Sequence, residues 1–235
     1  AVKFNSALPV FGAATLTDTS RMFGLASKFN QPVNMINTSA VTTMRSMFFG
    51  ARSFDQSVDN FNTSAVTSMR TMFYAATSFN QRVHSFNTSA VTTMEAMFGC
   101  NSGNWTDGAS DLCDTGMPMS FDQPVHTFDT SAVTDMTAMF QLNKRFNQRV
   151  ESWDTSAVTS MNSMFSRASS FNQPMNTWDT SAVTNMKETF KRATSFDQDL
   201  SSWSVSAVSN FNDTFKATPL SECNKALTYA SWESQ

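Results

Sequence analysis

Few side chains in this sequence are equipped for chemistry, and most of those recur periodically. His84 and His126 are the only histidines. They occupy one slot of consecutive units, so they should be near neighbours. Zinc usually takes four ligands, and the same slot elsewhere holds Asn34, Asp59, Glu151 and Asn176. A solvent-facing, variable wall is the better reading. Asp129, Asp154 and Asp179, each followed by Thr and Ser, could offer oxygens to calcium, but calcium needs several oxygens converging on one point. A ladder spreads them one strand spacing apart, and capping or Asx-turn duty explains Asp, Thr and Ser together. Nucleophilic catalysis needs a nucleophile beside an oriented base. Two histidines on a repeating wall and only seven glycines do not supply that base or a phosphate-cradling loop. The expectation is no enzyme activity, no metal and no cofactor.

Cys100, Cys113 and Cys223 are the only cysteines. The first two are close enough to close a local loop as a disulfide, worth ~3 kcal/mol in the loop-entropy picture; two small, buried, reduced thiols are the alternative. Cys223 has no obvious partner. Asn37, Asn62, Asn87, Asn104 and Asn212 begin N-glycosylation sequons. Three of these merely place Asn where other units have Asp, so Asn104 is the best candidate. The columns Thr42, Thr67, Thr92 and Thr134, Thr159, Thr184 could bind ice or mineral if their hydroxyls were free on a flat face.

What must position these residues is a repeat. Units begin at Phe4, Phe29, Phe54, Phe79, Phe121, Phe146, Phe171 and Phe196, each 25 residues after the last except for one step of 42. Fixed-period self-similarity marks stacked supersecondary units. In the unit Phe171–Ser195 the apolar slots are Phe171, Met175, Trp178, Val183, Met186, Phe190 and Ala193. The first three suit a short strand. From Val183 the spacing of three, four, three predicts a short helix capped by Asp179, Thr180 and Ser181. One such unit would leave two flat faces wet, so units must stack. The stack puts Phe29, Phe54, Phe79, Phe121, Phe146 and Phe171 in one interior column and Met44, Met69, Met94, Met136, Met161 and Met186 in another. That accounts for 22 Phe and 16 Met in 235 residues.

The fold class expected is an α/β repeat solenoid with eight coils, each of one strand and one helix. Its layout is a single domain over 1–235: an N-terminal capping coil (4–28), coils two to four (29–100), a Cys-bearing insertion loop (101–120), coils five to seven (121–195), a C-terminal coil (196–220) and a capping tail (221–235). In the tail, Leu227, Tyr229 and Trp232 are the expected covers.

The strings FNQPVNMINTSAVTTMRSMF, FNQRVESWDTSAVTSMNSMF and FNQPMNTWDTSAVTNMKETF resemble the repeat of the BspA-like leucine-rich-repeat surface proteins. The resemblance runs from Phe4 to about Phe215. It implies a right-handed leucine-rich-repeat-like solenoid, secreted or surface-bound, engaged in adhesion or protein recognition, with no catalytic residues to carry over. The Cys-bearing insertion departs from the pattern.

A net charge of −3 with no basic run longer than two residues argues against nucleic acid as a partner. No apolar stretch is long enough to cross a bilayer, and the opening AVKFNS lacks a signal-peptide pattern. The function expected is a non-enzymatic extracellular or cell-surface interaction module (alternatively one in an organelle lumen) for a protein or glycan ligand. Its contact residues would be the aromatics Phe49, Tyr74 and Trp105 with Arg45 and Arg70. The rival is an architectural subunit or spacer in a larger, even polymeric, assembly.

Overall fold

In the arc Val-Thr-x-Met-x-x-Met-Phe, the backbone divides its hydrogen bonds between two tasks. Alternate N–H groups leave the unit: Met44, Ser46, Phe48 and Gly50 donate to the carbonyls of Ser68, Arg70, Met72 and Tyr74 in the next unit, at 3.1, 2.9, 2.8 and 2.7 Å. The intervening ones fold back, as Met47, Phe49 and Ala51 donate to the carbonyls of Met44, Ser46 and Phe48. Each such unit is therefore a run of tight turns hydrogen-bonded edgewise to its neighbour. A parallel bridge series, Asp18–Thr43–Ser68–Thr93–Asp135–Ser160–Asn185–Asn210, marks the same arc throughout and passes the insertion without losing register. The computed structural model describes residues 5–7, 16–100, 113 and 118–235.

This arrangement differs from the expected strand and helix. Among the described residues the repeats contain no helix, and the bridges fall on the arc after Val183 rather than on Phe171–Trp178. A helix would spend every N–H within its own segment. Here half of them bond to the neighbouring unit instead. Turning twice per arc requires left-handed residues, at Ser46 (φ 57°) and Gly50 (67°), then Thr71 and Ala75 (both 54°), and so on to Asp213 and Ala217 (both 58°). Left-handed backbone costs non-glycine residues about 1–2 kcal/mol each, and the inter-unit bonds and packing offset it. The turns return an apolar residue inward every three or four positions, which mimics a helical period.

Inside, two phenylalanine columns interleave. Phe29, Phe54 and Phe79 are fully buried with successive ring centroids 5.9 Å apart. Phe48 lies 4.0 Å from Phe54, Phe73 3.9 Å from Phe79, and Phe98 3.8 Å from Phe121, all stacked. Met44, Met69, Met94, Met136, Met161 and Met186 are likewise buried. Farther along, Trp153, Trp178 and Trp203 stack and each donates its indole N–H to a carbonyl of the preceding unit, at 3.0 Å. That bond satisfies the one polar atom a buried indole brings with it.

Two side-chain ladders close the corners. At the first, each Asn or Asp after the leading Phe accepts from the backbone N–H and the Gln amide of the next unit: Asn30 from Asp55 and Gln56, Asp55 from Asn80 and Gln81, Asp122 from Asn147 and Gln148. At the second, buried Thr63, Thr130 and Thr155 donate to the carbonyls of Asn87, Asp154 and Asp179 in the next unit, at 2.9, 2.8 and 2.8 Å.

The tail forms α1, Glu222–Trp232, capped by Ser221, whose side chain accepts from the Asn224 N–H. It docks by imitating a ninth unit: the Ser221 N–H and Asn224 amide donate to Asp197 Oδ1 at 2.8 and 2.9 Å. Of the expected covers, Trp232 packs near Phe211 and Phe215 and donates to the Leu200 carbonyl. Leu227 and Tyr229 instead point outward, 46% and 49% exposed, while Thr228 is buried. The docked face of α1 is set by its polar match to Asp197, Ser201 and Leu200, which leaves Leu227 and Tyr229 largely uncovered.

Two units approach closely at Gly99, where a Cβ would collide with the Ala138 carbonyl oxygen. Gly99→Ala should lower stability by about 1–3 kcal/mol, read as a reduced urea midpoint. A variant as stable as the parent would mean that these two units are not in such close contact.

Candidate interaction surface at the insertion

Most polar side chains of the repeat are already engaged with its own backbone. Asp129 Oδ1 accepts from both the N–H and the hydroxyl of Ser131, at 3.1 and 2.6 Å, and Asp154 and Asp179 repeat the Asx turn with Ser156 and Ser181. The serine hydroxyl, then its N–H, holds each of these carboxyls below the usual aspartate range. Asn37, Asn62 and Asn87 make the same turn with Ser39, Ser64 and Ser89. These three and Asn212 are exposed. Asn104 and Trp105 lie outside the described residues. The Thr42, Thr67 and Thr159 hydroxyls are exposed, yet each leans on the preceding unit's carbonyl, at 3.3, 3.2 and 3.1 Å.

His84 and His126 both face solvent and line one shallow groove with Arg82 and Pro124. Asp59 Oδ1 sits 3.9 Å from His84 Nδ1. Among the described residues no three His, Cys, Asp or Glu side chains are grouped to hold a metal.

The wall becomes individual in one slot. The position held by Gly24 in the first unit and Ser166 in a later one carries Phe49 and Tyr74 in between, their rings stacked at 4.9 Å. Sequence reasoning takes these aromatics as an exposed contact patch. They are instead buried, Tyr74 completely. Cys100 and Cys113 form a disulfide, with Cα atoms 5.5 Å apart, and the Tyr74 hydroxyl lies 3.0 Å from Cys113 Sγ. With Met119, Ala138 and Leu142 these residues make a second small core outside the main one. The two rings are the floor on which the disulfide rests. The spacing of Cys100 and Cys113 signals the bond, but nothing in the sequence reveals where the disulfide rests. Cys223 is a free, exposed thiol.

What remains exposed near this floor is mixed. Leu25, 43% exposed, forms a small cleft with Arg21, Gly24 and Phe49. Arg45 faces solvent, whereas Arg70 holds Glu95 with two contacts, Nε–Oε2 2.6 Å and Nη2–Oε1 3.1 Å. Burial pushes the Glu95 carboxyl up, and the Arg70 charge works against that rise. Arg70 is thus committed to an ion pair within the wall. Asn143 stands where Ala51, Ala76 and Ala168 stand in other units and donates to the Phe121 carbonyl at 2.9 Å, a role the alignment of units alone does not suggest.

The chain belongs to the family described as "Mycoplasma protein of unknown function, DUF285", whose model matches residues 1–107 and 113–229. The break between the two matches falls in the insertion. No curated protein and no solved structure matches the chain.

Two outcomes test this geometry. Because the carboxyls of Asp129, Asp154 and Asp179 titrate lower when folded, their turns stabilise the chain above the ordinary aspartate range (about 3.9) and lose that contribution as pH falls through the lowered values. Replacing all three by Asn, the residue found at Asn37, should flatten the acid limb of a stability–pH curve and leave neutral stability near the parent's. Separately, Tyr74 and Tyr229 are the only tyrosines, so tetranitromethane should nitrate Tyr229 alone. Cys100→Ser with Cys113→Ser should cost ~3 kcal/mol and open Tyr74 to nitration.

Proposed function

We propose that the chain is a leucine-rich-repeat-like solenoid of the BspA-like surface type, acting outside the cell or at its surface as a non-enzymatic interaction module. Its binding determinant is the insertion on its Phe49–Tyr74 floor. The observation that carries this reading is the contrast between that platform and the rest of the wall. Elsewhere Asx turns, threonine bonds and amide ladders occupy the polar groups in the same way unit after unit. Here the chain breaks its period, and among the described residues only here does it add a disulfide and build a separate core. Disulfides persist in oxidising compartments, which supports the extracellular placement. No helix among the described residues is long and apolar enough to cross a membrane.

The architectural alternative would extend the assembly by adding units at an end. At the C-terminal end α1 already occupies the Leu200–Trp203 half of the last unit, so a complete unit cannot pair there. A protein or glycan ligand therefore remains the better class of partner.

Deleting residues 102–118, with Cys100→Ser, restores the 25-residue step from Phe79 to Phe121. Phe49→Ser and Tyr74→Ser keep the uncovered floor polar. Immobilised on beads, the parent should retain cells or matrix-protein surfaces and this variant should not. Equal retention by both, with the variant folded by circular dichroism, would remove the insertion from the function. Sedimentation showing open-ended polymers of the parent would favour the architectural role.

A further inference from the structure

A second site, independent of the insertion, lies where the bridge series ends. In the seventh unit the N–H groups of Met186, Glu188, Phe190 and Arg192 donate to the carbonyls of Asn210, Asn212, Thr214 and Lys216, at 2.9, 2.9, 2.9 and 2.8 Å. One unit later the same four N–H groups belong to Phe211, Asp213, Phe215 and Ala217. Asp213 and Ala217 keep the left-handed backbone of the arc, each with φ 58°. The intervening N–H groups of Thr214, Lys216 and Thr218 still fold back onto Phe211, Asp213 and Phe215. The conformation that offers four donors outward is therefore already built, and among the described residues none of the four meets an acceptor.

Beside this row runs an apolar groove. Phe211 and Phe215 form one wall, Tyr229 and Trp232 of α1 the other, and Val205 closes one side. Phe211 is 39% exposed, although the equivalent Met186 one unit earlier is completely buried. The helix is held across the neighbouring half of the unit by Trp232 on the Leu200 carbonyl, Ser231 on the Ser201 carbonyl, and Gln235 on both Trp203 and Val205. A whole unit cannot enter, but a single segment shaped like one arc can.

We propose that this edge is a docking site for a polypeptide segment of a partner protein that takes up the same turn-rich arc, lying parallel to residues 209–217. Its carbonyls accept the N–H groups of Phe211, Asp213, Phe215 and Ala217. Its apolar side chains, spaced as in Val-Thr-x-Met-x-x-x-Phe, continue the columns over Phe211 and Phe215 against Trp232. Main-chain bonds of this kind supply affinity and the pockets beside them supply selectivity. An open row of donors next to an apolar wall is also what an unprotected sheet edge presents to another chain. The repeat spacing is the chemistry asked of the ligand, because every interior arc is covered by a segment with that pattern.

The probe is a fluorescent peptide with the sequence of residues 180–193, TSAVTNMKETFKRA, titrated into the full chain and followed by anisotropy. It should bind saturably. A scrambled peptide of the same composition, and the variant Phe211→Glu, should each bind at least about tenfold more weakly, with the helical signal of α1 unchanged in the variant. Hydrogen exchange should slow at the amides of Phe211, Asp213, Phe215 and Ala217 and not at Thr214, Lys216 and Thr218. Equal binding of the scrambled peptide overturns the proposal, as does saturable binding without protection of those four amides. If the chain alone self-associates and protects the same amides, the occupant is a second copy and the partner-segment proposal fails.

Discussion

Everything else in the molecule follows from the way each unit gives away alternate backbone N–H groups to the next. A segment that kept those bonds for itself would be helical and would have no reason to lie in register with its neighbour. By donating outward at every second residue, Met44, Ser46, Phe48 and Gly50 fix the next unit's position along the chain and its height. That fixed height sets successive leading Phe rings 5.9 to 6.4 Å apart and brings each buried threonine hydroxyl to a carbonyl one unit away. The cost is a left-handed residue twice per arc, and the chain accepts Ser, Thr, Ala, Leu, Arg and Glu in those places. Apolar packing on the inner side offsets it.

The same constraint explains how the chain tolerates interruption. The bond pattern between Thr93 and Asp135 equals that between Ser68 and Thr93, although many more residues intervene. An insertion that returns the chain in register leaves the bonds between the flanking units as they are elsewhere. The excursion then needs an anchor of its own, and the disulfide seated on Phe49 and Tyr74 provides one. The end of the repeat is handled differently. Asp197 would meet an Asn and a Gln in a further unit, and Ser221 with Asn224 takes their place at the start of α1. Only half of the last unit is covered in this way, and the other half keeps its donors outward.

Much of the interior was legible in the residues. Period, register and the membership of the Phe and Met columns can all be read from equivalent positions, because identical slots must have identical surroundings. The secondary structure was not legible. A spacing of three, four, three arises from a helix and equally from a succession of turns, and the pattern of inward residues does not reveal where the N–H groups go. The exposed aromatic patch failed for a related reason. Phe49 and Tyr74 sit in a slot that is polar or empty in other units, which invites reading them as a contact surface, yet the disulfide packed on them joins Cys100 and Cys113, both more than about 25 residues further along the chain.

By itself the sequence determined the unit length, its in-register repetition, the residues turned inward and the point of interruption, since these depend only on which side chains recur at equal intervals. Tertiary structure alone decided that the arc is turns rather than helix, that the disulfide rests on an aromatic floor, and that α1 closes half of the final unit. Those outcomes depend on contacts between residues far apart in the chain, where a donor chooses its acceptor by distance in space and not by spacing along the sequence.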